Sequence, residues 1–264
     1  MALGVLATVR HVAPTLLTGS GCSADGNGQV IPLATGQAGI ASTIAGVARQ
    51  DAMPRRAVTV AYAAALQESK LQNLHYGDRD SVGIFQQRPS EGWGPTQQLE
   101  DPVYATTKFF AALASVPRYR QIPVYRAAQD VQHSADGGAY SQYQQTAASL
   151  AAAFTGTRPH AVWCWYSGQA TGPARLTAVA RQLTRTFGPL TEYRSGDPVL
   201  AVQVTGVKDG WAVAAWLVSH ARTYRIRRVR FHGYQWTTAR GSKGWTRERP
   251  GSQAPPPKGS IVLG

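Results

Sequence analysis

From Ala57 to Gln67 the chain reads AVTVAYAAALQ, eleven residues without a charge, and the next residue is Glu68. A helix that is apolar on every side is buried on every side, so this segment predicts the central helix of an all-α core. Pro54 precedes it and suits a first helical turn. Upstream, Ile40, Ile44 and Val47 recur at helical spacing, so a helix is expected from Gln37. Downstream, periodicity stops after Lys70. The stretch LHYGDRDSVGIFQQRPSEGWGP reads as a long structured loop, a kind of segment that usually carries function. Asp101-Pro102 then reads as a cap and first-turn proline opening a helix to about Ser115. A further helical pattern covers Tyr140 to Phe154.

Beyond Thr155 the character changes. Residues 1–155 carry 11 basic and 10 acidic side chains, whereas residues 156–264 carry 16 and 4. The net charge of +13 therefore belongs almost wholly to the second part. Pattern changes too: a basic helix over 171–186 ending before Gly188, an alternating strand over 198–207, a helix over 211–224, a strand over 227–236 and a last strand at Ile261–Leu263. The fold class expected is α+β, an all-α domain followed by a smaller basic α+β domain. The boundaries are 1–36 as a stalk or linker, 37–155 helical, 156–162 a linker and 163–264 the basic domain. With 264 residues, seven Trp and eleven Tyr, fibrous and broadly disordered classes are excluded. No run of about 20 apolar residues calls for a membrane span. Met1 to Gly19 is apolar but interrupted by Arg10 and His11, and reads either as the stub of an anchor or as a weak lipoprotein-type signal ending at Cys22.

Glu68 is the residue with the most chemistry to offer. Burial and the negative end of a helix dipole both work against the anion of a carboxyl group placed there. A carboxylic acid that keeps its proton is what a glycosidic oxygen needs as general acid. The bland alternative is a glutamate reaching solvent at a helix end, paired with Lys70. Asp78 and Asp80 are candidates for a second carboxylate. Asp80 is the better placed, just before Gly83, with an Asp-turn cap of the loop as its structural alternative. A calcium loop is excluded by Val82 and Pro89 at positions that need oxygen ligands. The six His show no metal-ligand spacing, so no metal and no cofactor is expected. Cys22 and Cys164 are too few for a zinc ribbon, leaving one bridge or two buried thiols.

Gln67-Glu68-Ser69-Lys70-Leu71, followed fifteen residues after Glu68 by Gly83-Ile84-Phe85-Gln86, resembles the lysozyme-like lytic transglycosylase superfamily, which includes soluble lytic transglycosylases and goose-type lysozymes. The longer string SKLQNLHYGDRDSVGIFQQRPSEGWG is similar to a group of actinobacterial cell-wall-associated proteins. The resemblance covers about residues 37–155. It implies a peptidoglycan-cleaving enzyme acting on the MurNAc–GlcNAc linkage, with Glu68 as catalytic acid/base and Asp80 as a second carboxylate. Ser69 would orient Glu68 or bond the sugar, Gly83 would let backbone approach the glycan, and Phe85 and Gln86 would line the cleft floor. Trp93 suits stacking on a sugar ring. The family's third motif is absent as such. Ala128-Gln129-Asp130-Val131-Gln132 stands in its place, with Gln129 or Gln132 supplying an amide and Tyr140 a phenol. An oxidising compartment outside the cytoplasm follows, and with it a Cys22–Cys164 bridge.

The partners implied are peptidoglycan glycan strands and, through Arg225, Arg227, Arg228 and Arg230, anionic wall polymers. Nucleic acid would bind those arginines only without sequence preference. The second part faintly resembles domains related to zinc peptidases of the D-Ala-D-Ala carboxypeptidase type, without their metal ligands. The competing reading is a cell-wall-binding or scaffold protein whose lysozyme-like domain is inactive.

Overall fold

The computed structural model describes residues 19–133, 138–168, 171–194, 199–249 and 256–264. The apolar N-terminus and the Pro-rich stretch around 250–255 fall outside them. The chain is α+β, with helices and two antiparallel sheets.

Residues 19–36 are not the irregular stalk expected from their composition. β1 (Gly21–Gly26) and β2 (Gln29–Leu33) form an antiparallel hairpin. Its turn is Asn27-Gly28, both at positive φ (54° and 81°), the geometry that matches strand twist in a two-residue hairpin. β1 is the middle strand of a three-stranded sheet, between β2 and β3 (Val162–Trp165). The register sets Cys22 opposite Cys164, and the two are bridged, with Cα atoms 4.0 Å apart. The expected linker over 156–162 is likewise overturned at its end, where Ala161 and Val162 are buried and lead into β3.

The helices expected from Gln37, after Pro54, after Asp101-Pro102 and up to Phe154 are present, and a further helix over Val124–Gln132 was not expected. α1 (Thr35–Gln50) is buried from Ala38 to Ala48. α2 (Arg55–Glu68) is buried without a gap from Ala57 to Ala65. It is wrapped by α1, α4 (Pro102–Ser115), α5 (Val124–Gln132) and α6 (Gln144–Phe154). Alanine on all sides lets these neighbours approach closely. Tyr62 is the one large polar side chain inside this stretch, and its hydroxyl donates to the Ala41 carbonyl at 2.6 Å, pinning α2 to α1. Asp101 caps α4 by accepting from the N–H groups of Val103 and Tyr104, as its sequence indicates. A short α3 (Thr96–Leu99) closes the long loop. Among the described residues, 35–154 hold no strand, only isolated bridges at Leu74–Gly83 and Val82–Gln87.

The second part holds α7 (Leu176–Phe187), β4 (Thr191–Arg194), β5 (Leu200–Gln203), α8 (Val207–Ser219), α9 (Ala221–Tyr224), β6 (Arg228–Phe231), β7 (Tyr234–Thr237), β8 (Thr246–Arg247) and β9 (Ser260–Leu263). The sheet order is β4-β5-β9-β6-β7-β8, so the final strand is an interior one. The strand expected over 198–207 is shorter, because Val207 already begins α8. The single strand expected over 227–236 is a hairpin that turns at His232-Gly233, both at positive φ. α8 is buried from Gly210 to Ser219 and packs on β6, β3 and α1. α1 also meets α7, so a single hydrophobic cluster runs through both parts.

Candidate functional site

Glu68 is the last residue of α2 and is half-buried. The chain turns sharply after it, through Ser69 and two left-handed residues, Lys70 and Leu71 (φ 56° and 58°). The Leu71 N–H returns to the Ala65 carbonyl at 3.0 Å, closing the helix, and the Leu71 side chain is fully buried. Gln37 of α1 donates to the Lys70 carbonyl at 2.8 Å and fixes the turn from the other side. Glu68 thus ends on a rigid corner.

The Glu68 carboxyl accepts from the Tyr140 hydroxyl at 2.6 Å on Oε1. Oε2 has no protein hydrogen-bond partner and neither oxygen has a cation within ion-pair distance among the described residues. Lys70 does not pair with it. Its ammonium instead bonds the Tyr143 hydroxyl at 2.5 Å and lies over the Tyr143 ring. Glu68 opens into a cleft of about 460 Å³ whose walls include Gln86, Arg88, Trp93, Gln132 and His133.

Of the residues expected here, Glu68, Gln86, Trp93 and Gln132 line this cleft, and Tyr140 supports it from behind, being 1% exposed. Gln132 donates to the Phe85 carbonyl at 2.7 Å, so it ties α5 to the loop as well as facing the cleft. Gln86 sits at positive φ (49°) with its amide on the Tyr76 and Gly83 carbonyls. Gln129 is not a wall of the cleft.

The other expected roles are corrected. Ser69 is 3% exposed and donates to the Ala65 and Ile84 carbonyls at 3.1 and 2.8 Å. It staples the helix end to the loop and has no hydroxyl to offer a sugar. Gly83 is buried at φ 78°, and a Cβ there would stand 2.4 Å from the Leu99 carbonyl oxygen. Glycine is required by the fold at that point, not by an approaching glycan. The Phe85 ring is fully buried, stacked on Phe109 at 4.4 Å, so it forms core beneath the cleft.

Asp80 is a loop staple. Its two oxygens accept the Ser90 N–H at 2.8 Å and the Ser90 hydroxyl at 2.9 Å. These bonds stabilise its anion and hold it below the ordinary carboxylate range. Asp78 is the aspartate on the cleft wall, bound to Arg88 at 2.8 Å. Arg88 also holds Glu91 at 3.0 Å and the Ser81 hydroxyl at 3.0 Å. Gln87 is 2% exposed and lines the cleft, and its Oε1 is buried with no donor among the described residues. Sequence reasoning missed Arg88, Glu91, Gln87 and His133. Gln87, Arg88 and Glu91 lie where periodicity gives no guide and only the run of polar residues after Phe85 signals them, while His133 is the left-handed residue that ends α5.

Among the described residues, no three His, Cys, Asp or Glu side chains come together as a metal site. In the second part, Arg230 departs from its expected role. It is 9% exposed and makes a bidentate pair with Glu248 at 2.6 and 2.9 Å, so its guanidinium is engaged by an acid and not presented to an anionic polymer. No helix among the described residues is long and apolar enough to cross a membrane.

No protein-family model matches the chain, and no curated protein matches it.

Proposed function

We propose that residues 35–155 form a lysozyme-like unit whose cleft cuts the MurNAc–GlcNAc linkage of peptidoglycan, with Glu68 as general acid and then base. One observation carries this reading. A single carboxyl group ends an otherwise buried helix at an open cleft, held by Tyr140 on one oxygen and, among the described residues, without a protein partner on the other. That is the arrangement a proton donor needs: fixed direction, one free lone-pair site and access to substrate.

In this mechanism the Glu68 proton passes to the leaving glycosidic oxygen as the bond from the anomeric carbon breaks. The glutamate anion then takes a proton from the hydroxyl that attacks the same carbon. The ties of Asp80 to Ser90, and of Asp78 and Glu91 to Arg88, support a route with one working carboxylate. The incoming hydroxyl is then the substrate's own, closing an anhydro ring. Trp93 offers a ring face to a sugar, and Gln86 and Gln132 offer amides. The Cys22–Cys164 bridge supports work outside the cytoplasm. In the same reading the basic second part retains the protein on anionic wall polymer.

The test is digestion of purified peptidoglycan, followed by mass spectrometry of the soluble fragments. Fragments with anhydro ends are expected. Reducing-end fragments would show hydrolysis and bring Asp78 into the mechanism as water activator. Release of nothing by folded protein would favour a wall-binding protein with an inactive cleft.

A further inference from the structure

Arg222, Arg225 and Arg227 converge on one small depression, which they line together with Tyr166 and Thr238. The backbone brings them there. α9 closes with the Ile226 N–H on the Ala221 carbonyl at 2.9 Å, and Ile226 is 1% exposed, anchoring the turn in the core. Arg225 occupies the left-handed position of that turn, at φ 58°, where glycine or asparagine is the ordinary occupant. Arg222 lies in the last helical turn before it, and Arg227 enters β6 after it.

Their head groups are oriented by carbonyl groups and a hydroxyl, not by acids. Arg222 donates to the Ser167 carbonyl at 3.0 Å and reaches the Ser20 hydroxyl at 3.4 Å. Arg227 donates to the Gly172 carbonyl at 3.2 Å. Arg225 approaches the same glycine closely, its Nη1 standing 2.7 Å from where a Cβ would be. None of the three has a carboxylate within ion-pair distance among the described residues. Arg49, Arg88, Arg126, Arg158, Arg185 and Arg230 all do. Three arginines that line one depression without an acid concentrate positive charge there, and an anion with several oxygens offsets that charge by accepting their forked donors.

A larger cleft of about 520 Å³ adjoins the depression and shares Tyr166 and Arg222 with it. It lies between the start of α1 and the corner of α8 and α9, and its walls carry the side chains of Thr35, Thr223 and His220. The His220 Nδ1 lies 2.9 Å from the Trp216 carbonyl, which can only accept, so Nδ1 is the donor and Nε2 remains an acceptor. Burial holds this imidazole neutral, down to about 4. Apart from Arg222 at the shared edge, the side chains that line the cleft are uncharged and fitted for hydroxyl groups. Among the described residues, Tyr76 is the single aromatic side chain in the exposed class, at 73%, and it belongs to the other part of the chain. Tyr166 on this face is half-buried with its hydroxyl on the Val218 and Ser219 carbonyls, so the face offers no exposed row of rings on which unpaired bases would stack.

We propose that Arg222, Arg225 and Arg227 form a phosphate site, and that the adjoining cleft takes the hydroxyl-bearing unit of a polyol- or sugar-phosphate polymer. This deepens the retention role suggested above by giving it a defined place and ligand chemistry, and it does not depend on Glu68. It also moves the anion site away from Arg230.

The experiment compares binding of the whole chain to three probes with equal numbers of negative charges: a glycerol phosphate oligomer, an oligo-dT strand and an oligoglutamate. The variants are Arg222→Gln/Arg225→Gln/Arg227→Gln and a control with three charges removed elsewhere in the basic part, Arg181→Gln/Arg240→Gln/Lys243→Gln. Circular dichroism checks folding, and the charge-preserving Arg222→Lys/Arg225→Lys/Arg227→Lys variant serves if the glutamine triple unfolds. Wild type should favour glycerol phosphate over both other probes. The glutamine triple at the depression should lose at least about 10-fold, with a clearly shallower salt dependence, and the lysine triple at least about 3-fold. The control should lose less than about 3-fold. Equal losses in the control and depression triples would overturn the discrete site and leave diffuse retention standing. Oligo-dT bound as tightly as glycerol phosphate would overturn the ligand class, and no binding of any probe by wild type would end the retention reading as well.

Discussion

Replacing both cysteines, Cys22→Ala with Cys164→Ala, tests the topology that ties the two parts together. The bridge joins β1 to β3 across a sequence separation of 142 residues. Closing a loop of that length removes about 17 cal/mol/K from the unfolded ensemble, or about 5 kcal/mol at 25 °C, on the chain-entropy account. Both side chains are fully buried, and alanine fits a strand interior without adding a polar group. β1 keeps its pairing with β2 and its packing on α6, so the native state should survive. With about 2.1 cal/mol/K of unfolding entropy per residue, a loss of 5 kcal/mol lowers the melting temperature by about 9 °C. The assay is calorimetry of wild type, wild type under reductant and the double variant, with thiols counted in the unfolded, unreduced chain. No free thiol in wild type and a matched fall of about 4–9 °C in the other two are expected. Two free thiols, or a shift below about 2 °C, would refute the bridge as the fastening of this sheet.

Gly83→Ala should cost at least about 2 kcal/mol, from a left-handed backbone and a clash with the Leu99 carbonyl, read as a lowered denaturant midpoint. Asp80→Asn should leave glycan cleavage within about 3-fold of wild type, because its oxygens serve Ser90. A 100-fold loss with the fold intact would restore it as a catalytic group. His220 makes stability depend on pH with a known sign. Its folded value is pushed by burial from 6.5 to about 4, so between those values the unfolded chain binds the extra proton. Stability should fall as pH drops from about 6.5 to 4, by up to roughly 3 kcal/mol, and His220→Gln should flatten that part of the melting-temperature profile.

What could be read from sequence follows from how locally each feature is determined. The apolar block Ala57–Ala65 and the Asp101-Pro102 cap are decided within one or two helical turns, and both stand where their patterns place them. β9 was legible as an isolated apolar triplet, but its interior position depends on β5 and β6. The β1–β2 hairpin was hidden because GCSADG offers only Cys22 and Ala24 as an apolar face, and β3 lies far along the chain. In residues 227–236 the apolar positions shift from Val229 and Phe231 to Tyr234 and Trp236, and that change of phase at His232-Gly233 is the only local mark of the turn. In the site, Glu68 was legible because a helix end is a local event. The roles of Asp80, Asp78 and Arg230 were not, since each is set by a partner ten to eighteen residues away: Ser90, Arg88 and Glu248. Ser69 and Gly83 sit in the expected motif but serve packing: Ser69 ties the end of α2 to the loop at the Ile84 carbonyl, and Gly83 lets that loop pass close to the Leu99 carbonyl.

The most direct measurement is the rate of muropeptide release from purified peptidoglycan by wild type and by Glu68→Gln, at equal concentration and with matched circular dichroism. Glutamine keeps the shape and still accepts from Tyr140, but it has no proton to donate. The account predicts release by wild type and a fall of roughly 10²-fold or more in the variant, with the melting temperature little changed. Equal release by both proteins would contradict it.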